Sequence, residues 1–374
     1  MKPVSALKRF AYLDALKVIA IYFVVVIHVI GFKVASFDNG VGWFIAHFFS
    51  MASRFAVPVF VMCSGAVLLA RTVETSEDVI QFYKRYLVSY TGYLFLGLFV
   101  AKILSLYLGH DEFTLRGLVY DFYVGFGAGM WFFFMLIGLV LVTPLLQSFV
   151  RNRILTKLFL ILWIFFCIAN PMLSNTLGFY RTYVDNMLFG LYFVGYFVLG
   201  YFLASTGRRF RTKALVISAI SGLVLAAVAG YALSLQQSTL HEYFYYSNNP
   251  FIFIYTISIF LIGRNIYAEK NSGIVLRTLS SVTGYVYIFH TAVMSFIPIG
   301  YSQNIFVLFF IRVPVVVFVT MALSFGYKWI QPLLQRVVFL PVHHVVKFEI
   351  GRIYAKLYRG VQPHWIEFKA WVFY

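Results

Sequence analysis

The stretch that decides the fold runs from Tyr12 to Val29 and reads YLDALKVIAIYFVVVIHV. It is a continuous apolar run of the length a membrane helix needs, about 20 residues at about 1.5 Å each. Yet it carries Asp14, Lys17 and His28. An ionisable side chain at membrane depth costs roughly 2.5–3.5 kcal/mol, so three on one helix call for a reason. Lys17 and His28 are eleven residues apart, about 1100° of helix rotation, which leaves them about 20° from a common stripe. Asp14 lies one turn before Lys17 and neighbours it on the helix surface. All three therefore share one face, with His28 about 16 Å further along the axis than Lys17. An ion pair at the lipid interface would account for Asp14 and Lys17 but leaves His28 unexplained.

The surrounding composition agrees with a membrane setting. Of 374 residues, 61% are hydrophobic and only 11% charged, with mean hydropathy +0.85. Soluble domains are nearer half apolar and a quarter charged. Aromatic residues reach 20%, which suits interfacial belts. Long continuous apolar runs argue against a β-barrel, whose strands alternate over about ten residues. The expected fold is an all-α polytopic membrane helix bundle of about ten spans, at roughly 12–33, 41–69, 86–108, 131–149, 155–172, 185–205, 214–233, 250–267, 278–298 and 305–330. Pro58 predicts a kink or tilt in the second. The first run is too long for a signal peptide and lacks a small-residue cleavage site, so it is expected to be retained. Residues 1–330 form the expected membrane domain, and 331–374 a basic, aromatic interfacial tail.

The net charge of +17 would suggest nucleic acid in a soluble protein. Here the bases sort by side. Lys2, Lys8, Arg9, Arg71, Lys84, Arg85, Arg151, Arg153, Lys157, Arg208, Arg209, Arg211, Lys213, Arg264, Lys270, Arg277 and six more in the tail fall on the side of the N-terminus. That is 22 of the 30 basic residues, against Lys33, Arg116 and Arg181 in the opposite loops. The asymmetry predicts that both termini are cytoplasmic. The charge thus sets topology and favours anionic membrane lipids as neighbours, with no nucleic-acid partner. Cys63 and Cys167 lie inside apolar runs, which argues against a disulfide framework, and the histidines are too scattered for a zinc site, so no metal is expected.

The spans hold Asp14, Lys17, His28, His47, Arg54, Asp185, His290 and Arg312, while Lys102, Arg181 and Lys328 lie near enough to span ends to snorkel. Arg54 keeps its charge and needs a partner, for which Asp14 and Asp185 are the acids available in the spans. His47 reads as a packed histidine. In LSSVTGYVYIFHTAV, Tyr287 and His290 are three apart and share a helix face. The expected outer loops 109–130 and 234–249 mix aromatic, amide and acidic residues, as a sugar-binding surface or an ordinary membrane interface would.

Several stretches together resemble the acyltransferase-3 family of bacterial membrane acyltransferases. Lys17 and His28 match its Arg/Lys, ten residues, His motif, and YLDALK is similar to its YLDGLRG opening. AVPVFVMCSGAVLL from Ala56, MWFFFMLIGLVLVTPLL from Met130, VGYFVLGYFL from Val194 and TGYVYIFH from Thr283 resemble its later motifs in the same order. The resemblance implies transfer of an acyl group, often acetyl from acetyl-CoA, to a hydroxyl of an extracytoplasmic glycan or lipid-linked sugar. It also implies a place in the bacterial cytoplasmic (inner) membrane. It carries catalytic or donor-handling roles onto His28, Lys17 and Asp14. The family's Arg-x-x-Arg motif is matched by FYKRYLVSY, where Lys84 and Arg85 are present but Val88 replaces the second arginine. Lys17 replaces the commoner arginine and lacks its bidentate fork. The expected site therefore comprises catalytic His28, Asp14 and Lys17. Lys84, Arg85, Lys17 and Arg54 would handle acetyl-CoA, and Tyr287 and His290 would face the acceptor. Asp14 is expected to pair with Lys17 or Arg54. The alternative reading is a polysaccharide or glycolipid exporter, since polar residues at membrane depth also mark transport paths.

Overall fold

The computed structural model describes residues 10–109, 114, 116–117, 120, 129–177, 192–267, 270–297 and 304–334. Among them the structure is helical, with no strand beyond an isolated bridge between Phe10 and Asn271. The helices are α1 (Ala11–Ala35), α2 (Val41–Ser53), α3 (Ala56–Leu68), α4 (Ser76–Tyr107), α5 (Trp131–Val150), α6 (Arg153–Ile164), α7 (Asn170–Leu177), α8 (Tyr192–Ser205), α9 (Thr212–Gln237), α10 (Pro250–Tyr267), α11 (Ile274–Ser280), α12 (Thr283–Phe296), α13 (Ile305–Val307) and α14 (Val313–Leu334). The chain divides into two compact units, residues 1–321 and 322–374. The described part of the second, residues 322–334, is helical.

Eight helical stretches among the described residues are long and apolar enough to cross a membrane: Ala11–Ala35, Val41–Leu68, Ser76–Tyr107, Trp131–Val150, Arg153–Leu173, Thr212–Gln237, Glu242–Tyr267 and Ile305–Leu333. This is a polytopic helical membrane protein. The two other expected spans correspond to α8, an apolar helix of 14 residues, and to the α11–α12 pair, which is interrupted at Ser281 and Val282. Nearly all of the expected tail, and Asp185 and Arg181, lie outside the described residues.

Prolines explain the irregularities. The second span breaks into α2 and α3 at Arg54 and Phe55, so Pro58 falls in the first turn of α3, where its missing N–H does least harm. The π turns Phe165–Ala169 and Leu308–Arg312 each end two residues before a proline, Pro171 and Pro314. A proline clashes with the carbonyl four residues earlier, and a widened turn relieves that clash. At the start of α4, Thr75 accepts from the Asp78 amide at 3.1 Å and Asp78 accepts from the Thr75 amide at 2.9 Å, a reciprocal cap that fixes where the helix begins. In the α1–α2 loop, the hydrogen bond from Lys33, followed by that from the Gly40 amide, holds the Asp38 carboxyl below the usual carboxylate range.

Helix association in lipid depends on close van der Waals approach, and glycine permits it. A Cβ on Gly65 would stand 1.8 Å from the Phe197 carbonyl oxygen, and one on Gly200 would stand 2.1 Å from the Met62 carbonyl oxygen. Helices α3 and α8 therefore touch backbone to backbone. Helix α1 contacts α2, α3, α10, α11, α12 and the Leu308–Arg312 turn, so it is packed against protein on several sides.

Replacing Gly65 by leucine should destabilise the fold by about 3 kcal/mol or more, because backbone cannot yield to the new side chain. Thermal melting in detergent checks this. Gly138→Ala, at a position with open space within 4 Å, should melt at or slightly above the wild-type temperature. Equal melting of Gly65→Leu and wild type would contradict the packing described.

Candidate active site

The polar face of α1 meets partners at three heights. Near the N-terminal end, buried Asp14 accepts a hydrogen bond of 2.7 Å from the Ser280 hydroxyl at the end of α11. One turn on, partly buried Lys17 lines a cavity of about 450 Å³. Further along, the His28 ring lies 4.9 Å from that of His290 on α12, inclined at 50°. His28 keeps accessible surface in this position.

The cavity is enclosed by α1, α3, α4, α5 and the α11–α12 junction. Lys17 and Arg85 supply its positive charges. Ser64, Ser89, Ser280, Ser281 and Thr283 contribute hydroxyls, and Tyr90, Tyr93, Phe132, Phe133 and Tyr287 contribute aromatic walls. From Arg85 to Tyr93 the α4 wall rises about 12 Å. Arg85 stands 5.7 Å from the centre of the Tyr86 ring and Arg71 stands 5.0 Å from the same ring, so two guanidinium groups gather at one cavity-lining tyrosine. At the other end Tyr287 packs edge-on against Phe133 at 5.3 Å and against His290 at 5.6 Å, and it donates to the Gly129 carbonyl at 3.2 Å. Tyr287 thus separates the cavity from the two histidines.

Arg54 sits at the α2–α3 break, where its neighbour Phe55 packs on Phe23 of α1 at 5.1 Å. The guanidinium lies over the Tyr245 ring at 4.8 Å and donates to the Ser50 hydroxyl at 3.0 Å. It is close enough to His28 and His47 to interact electrostatically with both. Among the described residues its contacts are these rather than Asp14, which instead holds Ser280. The Tyr245 hydroxyl donates to His47 Nδ1, and His47 Nε2 donates to the Ala227 carbonyl at 2.8 Å. His47 is stacked on Trp43 and has both ring nitrogens satisfied, as its reading as a packed histidine requires.

Of the residues expected from sequence, the fold gathers Lys17, Arg85 and Tyr287 around one cavity and brings His28 and His290 together beside it. Lys84 is exposed and does not line the cavity. Lys102, expected to snorkel, is buried with 4% of its surface accessible. The 234–249 segment, expected as an outer loop, is only partly exposed: Tyr243, Phe244 and Tyr245 lie buried in a 3-10 turn, and Arg54 rests on the Tyr245 ring. Sequence places Arg71 only among the bases that set topology; that it shares the Tyr86 ring with Arg85 shows only in the fold. Ser280 is legible as part of the polar cluster opening the ninth span, but its bond to Asp14 is not. No metal-binding group of His, Cys, Asp and Glu occurs among the described residues.

Fold and site together define a polytopic membrane protein whose charged cavity abuts a pair of imidazoles. A family model for an acyltransferase domain matches residues 10–329, and the chain belongs to this acyltransferase-3 family of membrane acyltransferases. Comparison with curated proteins and with solved structures gives no match.

Tyr245→Phe keeps the ring under Arg54 but removes the donor to buried His47. It should cost about 1–3 kcal/mol of stability. Tyr245→Leu, which also removes the cation–π contact, should cost more. Thermal melting of both variants in detergent checks the order, and a Tyr245→Phe that melts with the wild type would contradict it.

Proposed function

We propose that the protein transfers a short acyl group, acetyl above all, from cytoplasmic acyl-CoA to a hydroxyl of an extracytoplasmic or lipid-linked glycan in a bacterial inner membrane. The observation that carries this reading is the cavity, with cations at one end and Tyr287 against His290 and His28 at the other. The donor is a chain of anionic phosphates followed by a long, thin arm ending in a thioester. Arg85, Arg71 and exposed Lys84 suit the phosphates. Lys17 faces the same cavity deeper along the arm, and the polar and aromatic walls suit the arm itself.

In the proposed reaction, His28 takes the proton of the acceptor hydroxyl while its oxygen attacks the thioester carbonyl carbon. A tetrahedral intermediate forms, and the carbon–sulfur bond then breaks. The imidazolium returns its proton to the leaving thiolate, so the products are an ester and free CoA. Arg54 supplies permanent positive potential beside His28, which favours negative charge developing on the carbonyl oxygen. Asp14 does not touch the reacting atoms in this account. Its bond to Ser280 fixes the inner end of α1 against the cavity wall. Tyr287, on the cavity wall and against His290, stands between the arm and the imidazoles.

Purified protein in liposomes, given acetyl-CoA and a glycan acceptor, should release free CoA, read with a thiol-reactive dye. Folded His28→Ala should lose this release. Arg85→Gln should raise the KM for the donor about tenfold, the loss of about 1.4 kcal/mol of binding, with kcat little changed. Glycan movement across the bilayer with no CoA released would favour an exporter instead.

A further inference from the structure

His290 has one nitrogen tied and one empty. Its Nδ1 lies 2.6 Å from the Tyr287 carbonyl oxygen and 3.3 Å from that of Val286. Carbonyl oxygens only accept, so Nδ1 carries the hydrogen and Nε2 of the neutral ring is a bare lone pair. His290 is 1% exposed, and Nε2 is buried with no hydrogen-bond partner among the described residues. Buried acceptors are nearly always satisfied, so the open Nε2 of His290 calls for an explanation. His47 is the contrast within the same molecule, with both nitrogens engaged.

The group at hand is His28. The centroids of the two rings are 4.9 Å apart. Two imidazoles joined nitrogen to nitrogen at hydrogen-bond distance have centroids roughly 5 Å apart. Neither nitrogen of His28 has a hydrogen-bond partner among the described residues. We propose that His290 is a positioning residue for His28: its bare Nε2 accepts the His28 N–H and so leaves the other His28 nitrogen free for the acceptor hydroxyl. When His28 takes the hydroxyl proton, its second N–H stays bonded to His290, which spreads the new charge. Catalytic hydrogen bonds of this kind commonly tighten only when the reactants are in place. The part is the one a carboxylate plays beside histidine in other acyl-transfer sites. A neutral ring plays it here without adding a buried negative charge.

This rests on the reading of His28 as the base, and the test separates the two. Acyl transfer is measured at saturating donor for wild type, His28→Ala, His290→Phe and His290→Gln, each checked for folding by thermal melting. Phenylalanine fills the space without an acceptor, whereas the glutamine amide oxygen accepts. His290→Phe should lower kcat about 100-fold, in the range of a lost acid–base contribution, with donor KM within about threefold of wild type. His290→Gln should recover at least about tenfold of that loss. A second readout needs no His290 variant: in spectra of ¹⁵N-histidine protein, the His290 Nε2 resonance should move when His28 is replaced by alanine. Folded Phe and Gln variants of equal activity, or an unmoved Nε2 resonance, would overturn the inference. An active His28→Ala would instead overturn the reading beneath it.

Discussion

The bilayer offers no hydrogen bonds, and everything around α1 follows from that constraint. A helix that keeps Asp14, Lys17 and His28 on one face must have that face covered by other helices. Ser280 meets Asp14 and His290 meets His28, so α11 and α12 are registered against α1 at two heights. The stretch of α1 between those contacts holds Lys17, and the space left beside it is the cavity. The interruption at Ser281 and Val282 serves the same end. It places Ser280, Ser281 and Thr283 along the cavity wall. Site and fold are thus one solution to the problem of satisfying polar groups in oil.

Rigid packing elsewhere keeps that arrangement in place. Gly65 and Gly200 let α3 and α8 meet at their backbones, and Gly195 receives the face of Trp163. Because α3 also contacts α1, this tight pair forms a firm wall behind the stripe. Arg54 shows how a permanent charge survives at that depth. It rests on an aromatic face and a serine hydroxyl, and its charge is felt at both His28 and His47.

Local periodicity carried the sequence reading a long way. The shared stripe of Asp14, Lys17 and His28 followed from helix geometry alone. Pro58 announced the break of the second span, and Tyr287 and His290 were read as neighbours from their spacing of three. What eluded the sequence was pairing across distance. Nothing in the order of residues says that Arg54 rests on Tyr245, that Asp14 holds Ser280 or that Arg71 shares Tyr86 with Arg85. Cation–π contacts and single hydrogen bonds leave no periodic signature. The aromatic segment around Tyr245 therefore read as outer loop, although part of it folds into the core. Lys102 read as a snorkelling residue for a similar reason: its distance from the span end is visible, whereas the protein that buries it is not.

The central claim is that one polar stripe connects an acyl donor on one side of the membrane with an acceptor hydroxyl on the other. The most direct test confines acyl-labelled CoA to one side of uniformly oriented proteoliposomes and a glycan acceptor to the other. The account predicts labelled ester on the acceptor while the CoA stays on its own side. Transfer only when donor and acceptor share a compartment would contradict it.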